Sequence, residues 1–213
     1  MTDPADLRRD YRAAELGDEA RRTSWHDELR AWFDAAVADP AVVEPNAIQV
    51  ATVDDAGRPS VRTVLVKELD ERGVVFYTNH DSAKARDLAQ SPYAAAVFAW
   101  LPMERQVRLA GPVERVTRAE TQQYFATRPR GSQLAAWASA QSSVVASRAE
   151  LEQQVRVVAD RFAGMDVPAP PNWGGYRLRP ETVEFWQGRP DRLHDRLRHR
   201  LVDGSWIVER LAP

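Results

Sequence analysis

Cysteine is absent from this chain of 213 residues, which removes disulfides, thiolate metal sites and a cysteine nucleophile at once. Long apolar runs are missing as well. The opening stretch MTDPADLRRDYRAAEL lacks the hydrophobic core of a secretory signal, and no run approaches membrane-spanning length. A cytoplasmic protein without a membrane partner is the expectation. Nor does one charge dominate: 29 Lys and Arg against 31 Asp and Glu leave a formal net charge of −2. No global positive field argues for nucleic acid, so any anion site has to be assembled locally from a few cations. No G-x-G-x-x-G follows a strand, which leaves a Rossmann site unsupported. The carboxylates and histidines show no metal-ligand or Ser-His-Asp spacing, and no metal is expected.

What is present reads as a globular chain, since 44% hydrophobic residues suffice for a real core. Residues 1–22 are polar with little apolar periodicity, which predicts an arm with few core contacts. Residues 23–213 read as one domain. SWHDELRAWFDAAVADP predicts an amphipathic helix, capped by Ser24, carrying Leu29, Trp32, Phe33, Ala36 and Val37 and ended by Pro40. AIQVATVD, SVRTVLVKEL and GVVFYTN are β-branched or aromatic runs separated by the turn sequences DDAGRP and DERG. SAKARDLAQSP predicts a short helix with Ser82 as its cap. YAAAVFAWLP and ERQVRLAGPVERVT make a further strand pair, followed by helical patterns in RAETQQYFATRP, SQLAAWAS and RAELEQQVRVVADRFAG. The tail YRLRPETVEFWQG, RLHDRLRHRLVDG, SWIVERLAP returns to strand, turn and strand. Neighbouring strands with helices between groups predict an antiparallel β-barrel with packed helices, an α+β arrangement rather than alternating βαβ.

Three polar clusters could carry chemistry. If RLHDR is extended, Arg192, His194 and Arg196 share one face and Leu193 and Leu197 point into a core. Such a face either lies under an anion or is a solvated edge strand that deters aggregation. In YFATRPRGS, Tyr124 and Arg128 stand one helical turn apart, and Ser132 follows beyond Pro129. A phenol, a guanidinium and a hydroxyl suit a phosphate; an ordinary helix end with Arg128 favoured by the dipole is the alternative. In SVRTVLVKEL, Arg62 and Lys67 face opposite sides of a regular strand. Val64 and Val66 surround Arg62 with buried groups, which favours a fixed partner for it. Gln106 alone would pass for a surface glutamine, and His26, His80 and His199 for surface histidines.

Taken together, these stretches resemble the pyridoxamine 5′-phosphate oxidase family. VEFWQGRPDRLHDR is similar to the family's C-terminal signature. The likeness extends in order from LRRDY through RTVLVK, FYTN, ERQVRLAGPVERV, YFATRPRGSQLAAWASAQSS and NWGGYRLRP to ERLAP. The resemblance implies an FMN-binding split barrel, mostly antiparallel, that works as a homodimer with FMN at the subunit interface. It implies FMN-dependent oxidation of pyridoxamine 5′-phosphate and pyridoxine 5′-phosphate to pyridoxal 5′-phosphate, with O2 reduced to H2O2, a step of vitamin B6 metabolism.

By matching motif, Arg62, Thr63, Val64, Leu65, Val66 and Lys67 of RTVLVK would hold FMN, Arg62 at its phosphate. Tyr77, Thr78, Lys84, Gln106, Gln141, Ser142, Trp186 and Arg196 would complete the cofactor site. Lys67, Tyr124, Arg128 and Ser132 would hold the substrate phosphate. Arg192 and His194 would act as the catalytic pair over the substrate ring, with Arg8 and Tyr11 closing as a lid. Two departures stand out. The family usually has a basic residue before the lysine matching Lys84, where this chain has Ala83, and Glu44 stands where an aspartate is usual. The alternatives are a related split-barrel flavin oxidase acting on another ring, such as a phenazine precursor, and a flavin-binding protein without turnover.

Overall fold

A computed structural model describes Asp3, Leu7 and residues 10–213. Among these residues the valine-rich and aromatic runs form nine strands: β1 (Ala47–Val53), β2 (Pro59–Asp70), β3 (Gly73–Asn79), β4 (Tyr93–Trp100), β5 (Arg105–Arg115), β6 (Trp173–Leu178), β7 (Thr182–Gln187), β8 (Asp195–Val202) and β9 (Ser205–Arg210). Five helices accompany them: α1 (Trp25–Ala38), α2 (Ala83–Gln90), α3 (Arg118–Ala126), α4 (Arg130–Ala138) and α5 (Arg148–Arg161). Every strand pairing is antiparallel. The order β4-β1-β2-β3-β6-β5, closed by β4–β5, makes a six-stranded barrel, and β7, β8 and β9 extend the sheet outward from β5. This is the expected α+β split barrel. Among the described residues no helix is long and apolar enough to cross a membrane.

Alternation along the strands decides what fills the barrel. Ile48, Val50, Phe98, Val107 and Leu109 point inward and are buried, each side chain worth about 1.5–3 kcal/mol on leaving water. Helix α1 packs on this core. Ser24 Oγ accepts the Asp27 N–H at 3.1 Å, a cap worth ~1 kcal/mol. Trp25, Leu29, Trp32 and Ala36 then form the buried stripe, with Trp32 edge-on to Phe185. Val37, expected on that stripe, is exposed: one residue past Ala36 is a turn of about 100° away from the core. A second cluster of Phe125, Phe162, Val167, Ala169 and Trp173 lies where α3, α4 and α5 cover the outer face of β3 and β6.

Three expectations fail for identifiable reasons. YRLRPETVEFWQG is two strands, because Pro180 cannot continue a ladder. The chain changes sheet there, with Arg179 N–H bonding to Pro112 O and Glu181 N–H to Ala110 O. RLHDR is not extended. Pro190–Arg192 is a 3₁₀ turn in which Asp191 and Arg192 have φ of 55° and 62°, so period-two alternation does not apply. Leu193 is 70% exposed instead of facing the core, while Leu197, inside β8, is buried as expected. Finally, Ser82 occupies the N-cap position of α2 without making the cap bond.

The arm is also less detached than its composition suggests. Leu16 and Ala20, isolated apolar residues four apart, are buried in the main core, and Asp18–Arg22 forms a 3₁₀ turn. His199, expected at the surface, is buried against Phe185, and His80 is half-buried against Tyr176. Burial lowers the pKa of both imidazoles below the ordinary value.

Candidate active site

The described site residues fall into two groups. The first gathers at one end of the barrel. Arg62 is opposite Val50 in the β1–β2 register and therefore points inward. It donates to Thr52 Oγ1 at 2.7 Å and to Ser60 Oγ at 2.6 Å, with Asp87 of α2 at 3.7 Å. The fixed partner that its buried neighbours demanded is thus a carboxylate with two hydroxyls. Lys84, on the same helix, is buried. Its Nζ donates to Thr78 Oγ1 and Gln141 Oε1, both at 3.0 Å, and the Thr78 hydroxyl donates to Gln141 Oε1 at 2.7 Å. Among the described residues no carboxylate pairs with Lys84. Desolvation, then the nearby Arg62 charge, pushes it down to about 8. Ser82 Oγ is buried beside this group with no hydrogen-bond partner among the described residues. Ser142 follows Gln141 with φ of 71°.

Val64 and Val66 spend their side chains on the core, while Thr63 is exposed and Leu65 half-buried on the outer face. Lys67 is exposed at a β-bulge, between the pairs Val66↔Phe76 and Glu68↔Val75. The extra residue flips the parity of the rest of the strand and brings Glu68 onto the outer face. There Glu68 accepts the Tyr77 hydroxyl at 2.9 Å and pairs with Arg177 at 3.3 Å. Burial raises the Tyr77 pKa strongly, and Glu68 adds to the shift.

Continuous with that face is the second cationic feature. Tyr77 stacks on Tyr124 at 4.1 Å and on Trp173 at 5.4 Å. Gly175 allows this closeness, since a Cβ there would come within 2.9 Å of the Tyr77 ring. Arg128 lies over the Trp173 face at 4.6 Å, and its NH1 is buried with no hydrogen-bond partner among the described residues. Pro129 separates α3 from α4, so Tyr124, Arg128 and Ser132 do not share one helix. Ser132 is half-buried in the first turn of α4. Burial raises the Tyr124 pKa, opposed by the Arg128 charge.

The other group stands on the outer face of the sheet extension. Gln106, Trp186 and Arg196 are paired across β5, β7 and β8, and each is flanked by buried residues such as Val107, Phe185 and Leu197 that point inward. Arg196 donates to Glu184 at 2.8 Å and to Ala212 O. His194 lies 4.6 Å from the Trp186 ring, and Tyr11 sits edge-on to both. His194 Nδ1 accepts the Arg189 N–H at 3.1 Å, which puts the imidazole proton on Nε2. Desolvation, then Arg192, lowers the His194 pKa. Arg192 and His194 line a cavity of about 320 Å³ with Tyr11, Asp10, Arg189 and Asp191. Arg8 lies outside the described residues.

The two groups face opposite sides of the barrel wall: Arg62 shares the inward side with Val50 and Thr78 alternates in step with the buried Phe76, whereas Gln106 and Trp186 alternate with the inward Val107 and Phe185.

Comparison with known proteins shows the family. Residues 27–162 match a family model described as pyridoxamine 5′-phosphate oxidase, and residues 173–213 one described as the pyridoxine 5′-phosphate oxidase C-terminal dimerisation region. A pyridoxine/pyridoxamine 5′-phosphate oxidase of Saccharopolyspora erythraea is 55% identical over 208 residues, covering 97% of this chain and 94% of the relative. The chain belongs to the pyridoxamine 5′-phosphate oxidase family. Among solved structures, PhzG from Burkholderia lata, in complex with tetrahydrophenazine-1-carboxylic acid, superposes with a TM-score of 0.87. It is 29% identical and covers 93% of this chain and 98% of its own. A pyridoxamine 5′-phosphate oxidase-related, FMN-binding protein from Nostoc punctiforme shares the fold, with a TM-score of 0.71, 20% identity and coverage of 90% and 98%.

Against the family pattern, Ala83 begins α2 directly before Lys84, while Glu44 is exposed before β1. Reading the residues in order missed Ser82, Asp87, Trp173 and the Glu68–Arg177 pair as parts of the site. Only Trp173 had a usable signal: a tryptophan followed by Gly-Gly allows an aromatic side chain to close on the backbone.

Proposed function

We propose that this chain is an FMN-dependent oxidase converting pyridoxamine 5′-phosphate and pyridoxine 5′-phosphate to pyridoxal 5′-phosphate, with O2 as acceptor and H2O2 as by-product. The observation that carries the reading is Arg128. A half-buried guanidinium stacked on Trp173, whose NH1 is buried with no hydrogen-bond partner among the described residues, is costly unless an anion arrives. A substrate phosphate meets that need, and Tyr124 and Ser132 are the neighbouring hydroxyls that would share it. The phenazine reading offers no phosphate to this pocket. A binder without turnover needs no Arg192–His194 cavity.

The barrel end fits the phosphate of FMN. Among the described residues Lys84 is buried with only neutral oxygens as partners, Arg62 is close by, and Ser82 Oγ has no partner. When bound, FMN supplies the two-electron redox chemistry, and the protein supplies position and electrostatics. Lys84, Arg62 and Thr78 would anchor the cofactor's phosphate end; Gln106, Trp186 and Arg196 would line its ring. Because these sets occupy opposite faces of the barrel wall, one flavin touching both needs two chains. The dimerisation region matched at residues 173–213 supports a homodimer with each site shared. Arg128 and Tyr124 would fix the substrate phosphate, and Arg192 and His194 would orient the C4′ substituent, with the His194 Nε2–H donating a hydrogen bond to it.

Anaerobic addition of pyridoxamine 5′-phosphate to the purified yellow protein tests the reading. Bleaching of the flavin absorbance, recovered with peroxide on admitting air, is expected. A flavin spectrum indifferent to both phosphorylated substrates overturns it.

A further inference from the structure

Glu104 is an unusual place to spend a carboxylate. It closes the 3₁₀ turn Leu101–Met103 between β4 and β5 with φ of 56°, a left-handed conformation that crowds the Cβ of any residue but glycine. The surroundings hold it there. Its carbonyl accepts the Gly188 N–H at 2.8 Å and the Gln187 Nε2 at 3.2 Å. Gln187 is itself fully buried and takes the Arg105 Nε–H on Oε1. Strain that is over-determined in this way points to a task for the side chain.

The task is visible in the arm. Glu104 Oε2 accepts two successive backbone N–H groups, from Arg12 at 2.7 Å and from Ala13 at 2.9 Å. One residue earlier, Tyr11 lies edge-on to Trp186 and His194. Gly188 is the floor beneath it: a Cβ there would come within 2.8 Å of Tyr11 Cγ and 3.0 Å of Glu104 Cβ. Farther along, Arg189 reaches Ala14 O at 3.3 Å and Asp195 accepts the Leu16 N–H at 3.2 Å. Backbone contacts from Arg12 to Leu16, with the Glu15–Arg189 ion pair, fix where the chain runs, and Tyr11 is the arm's ring at the cavity.

We infer that Glu104 is a positioning residue, a latch whose carboxylate holds the Arg12–Ala13 backbone and so seats Tyr11 over His194 and Trp186. Its catalytic consequence rests on the oxidase reading; the latch itself does not. The Ala13 N–H belongs to the peptide bond that trypsin cuts after Arg12, so cleavage there reads the latch directly. Glu104→Ala is expected to speed cleavage at Arg12–Ala13 at least about tenfold in the flavin-loaded protein, with flavin content unchanged. It should also slow flavin reduction by substrate. Glu104→Gln, which keeps one acceptor oxygen, should recover much of both. Gly188→Ala, which leaves the carboxylate but crowds Tyr11, should release the same bond and serves if Glu104→Ala does not fold. Wild-type protection of Arg12–Ala13 in folded Glu104→Ala or Gly188→Ala overturns the latch. Released cleavage supports it even if no variant, nor the parent, oxidises either phosphorylated substrate; that second result would sink the oxidase reading alone.

Discussion

At the barrel end, Arg62, Thr78 and Lys84 stand on strands and a helix, Arg62 bonded to Thr52 and Ser60 and Lys84 to Thr78 and Gln141. Trp186, Arg192 and His194 stand where β7 gives way to a 3₁₀ turn with two left-handed residues, and their neighbour Tyr11 comes from a distant arm. The first half holds buried cations with too few anions. The second holds aromatic rings and a neutral histidine around an open cavity. On the proposed reading one half binds charge and the other orients a ring, and each chain of a homodimer would carry halves of two sites.

The most demanding test of this division damages the halves in separate chains. Arg128→Ala and His194→Ala chains, each weak alone, should complement when co-expressed. Random pairing makes about half the dimers mixed, and each mixed dimer keeps one undamaged site, returning about a quarter of wild-type activity. Absence of rescue, with mixed dimers isolated by two tags, would put both residues in one chain's site.

Next in size, Arg128→Ala removes a charge-assisted phosphate contact worth on the order of 1.5–3 kcal/mol, or roughly 10- to 150-fold in KM. FMN affinity should hold. An unchanged KM for pyridoxine 5′-phosphate would return Arg128 to the role of an ordinary helix-end cation.

His194→Ala and Arg192→Ala should show the opposite pattern, keeping the flavin while slowing its anaerobic reduction about 10- to 100-fold, roughly 1.4–2.7 kcal/mol of barrier. Stopped-flow bleaching measures it, and wild-type rates in both variants would remove the pair from the chemistry.

The smallest effects are in pH. Lys84 sits at about 8 against an ordinary 10.5, so its charge is lost as pH rises through about 8, and FMN should bind more weakly at alkaline pH than near neutrality. The unfolded chain holds that proton longer, so the flavin-free protein gains stability from this group over the same window. Lys84→Met should flatten the FMN titration across pH. On the acid side, His194 is held below 6.5, so kcat/KM should fall only below that value, as protonation of Nδ1 breaks its bond to the Arg189 N–H.

The halves also differ in how far the sequence disclosed them. Strand alternation put Arg62 among buried valines and demanded a partner, and the structure supplies Asp87, Thr52 and Ser60. The same rule misplaced Leu193, because Pro190 opens a turn whose left-handed residues no periodicity announces. The barrel was legible because nearly every strand is bounded by turn residues. The break at Pro180 was the exception, hidden inside an otherwise continuous β-like run. Tyr124 and Arg128 were visible as a pair, but Trp173, far along the chain, could be joined to them only by folding. The motif resemblance supplied the proposed roles of Gln106 and Trp186; spacing alone left Gln106 as a surface glutamine.

The bulge at Lys67 bears on how this chain can change length. One extra residue in β2 separates a stretch whose even-numbered side chains face the barrel interior from a stretch whose even-numbered side chains face out. Replacing a residue leaves that arithmetic intact. Losing Lys67 alone would leave Val66↔Phe76 and Glu68↔Val75 as consecutive pairs and Glu68 still outward. With the bulge kept, a deletion or insertion between it and the turn to β3 would turn Glu68 inward and deprive Arg177, 2% exposed, of its carboxylate at 3.3 Å. The turns before and after β2 can lengthen or shorten without that penalty. Among natural variants of this strand, single-residue gaps should therefore stay confined to its ends and to the bulge.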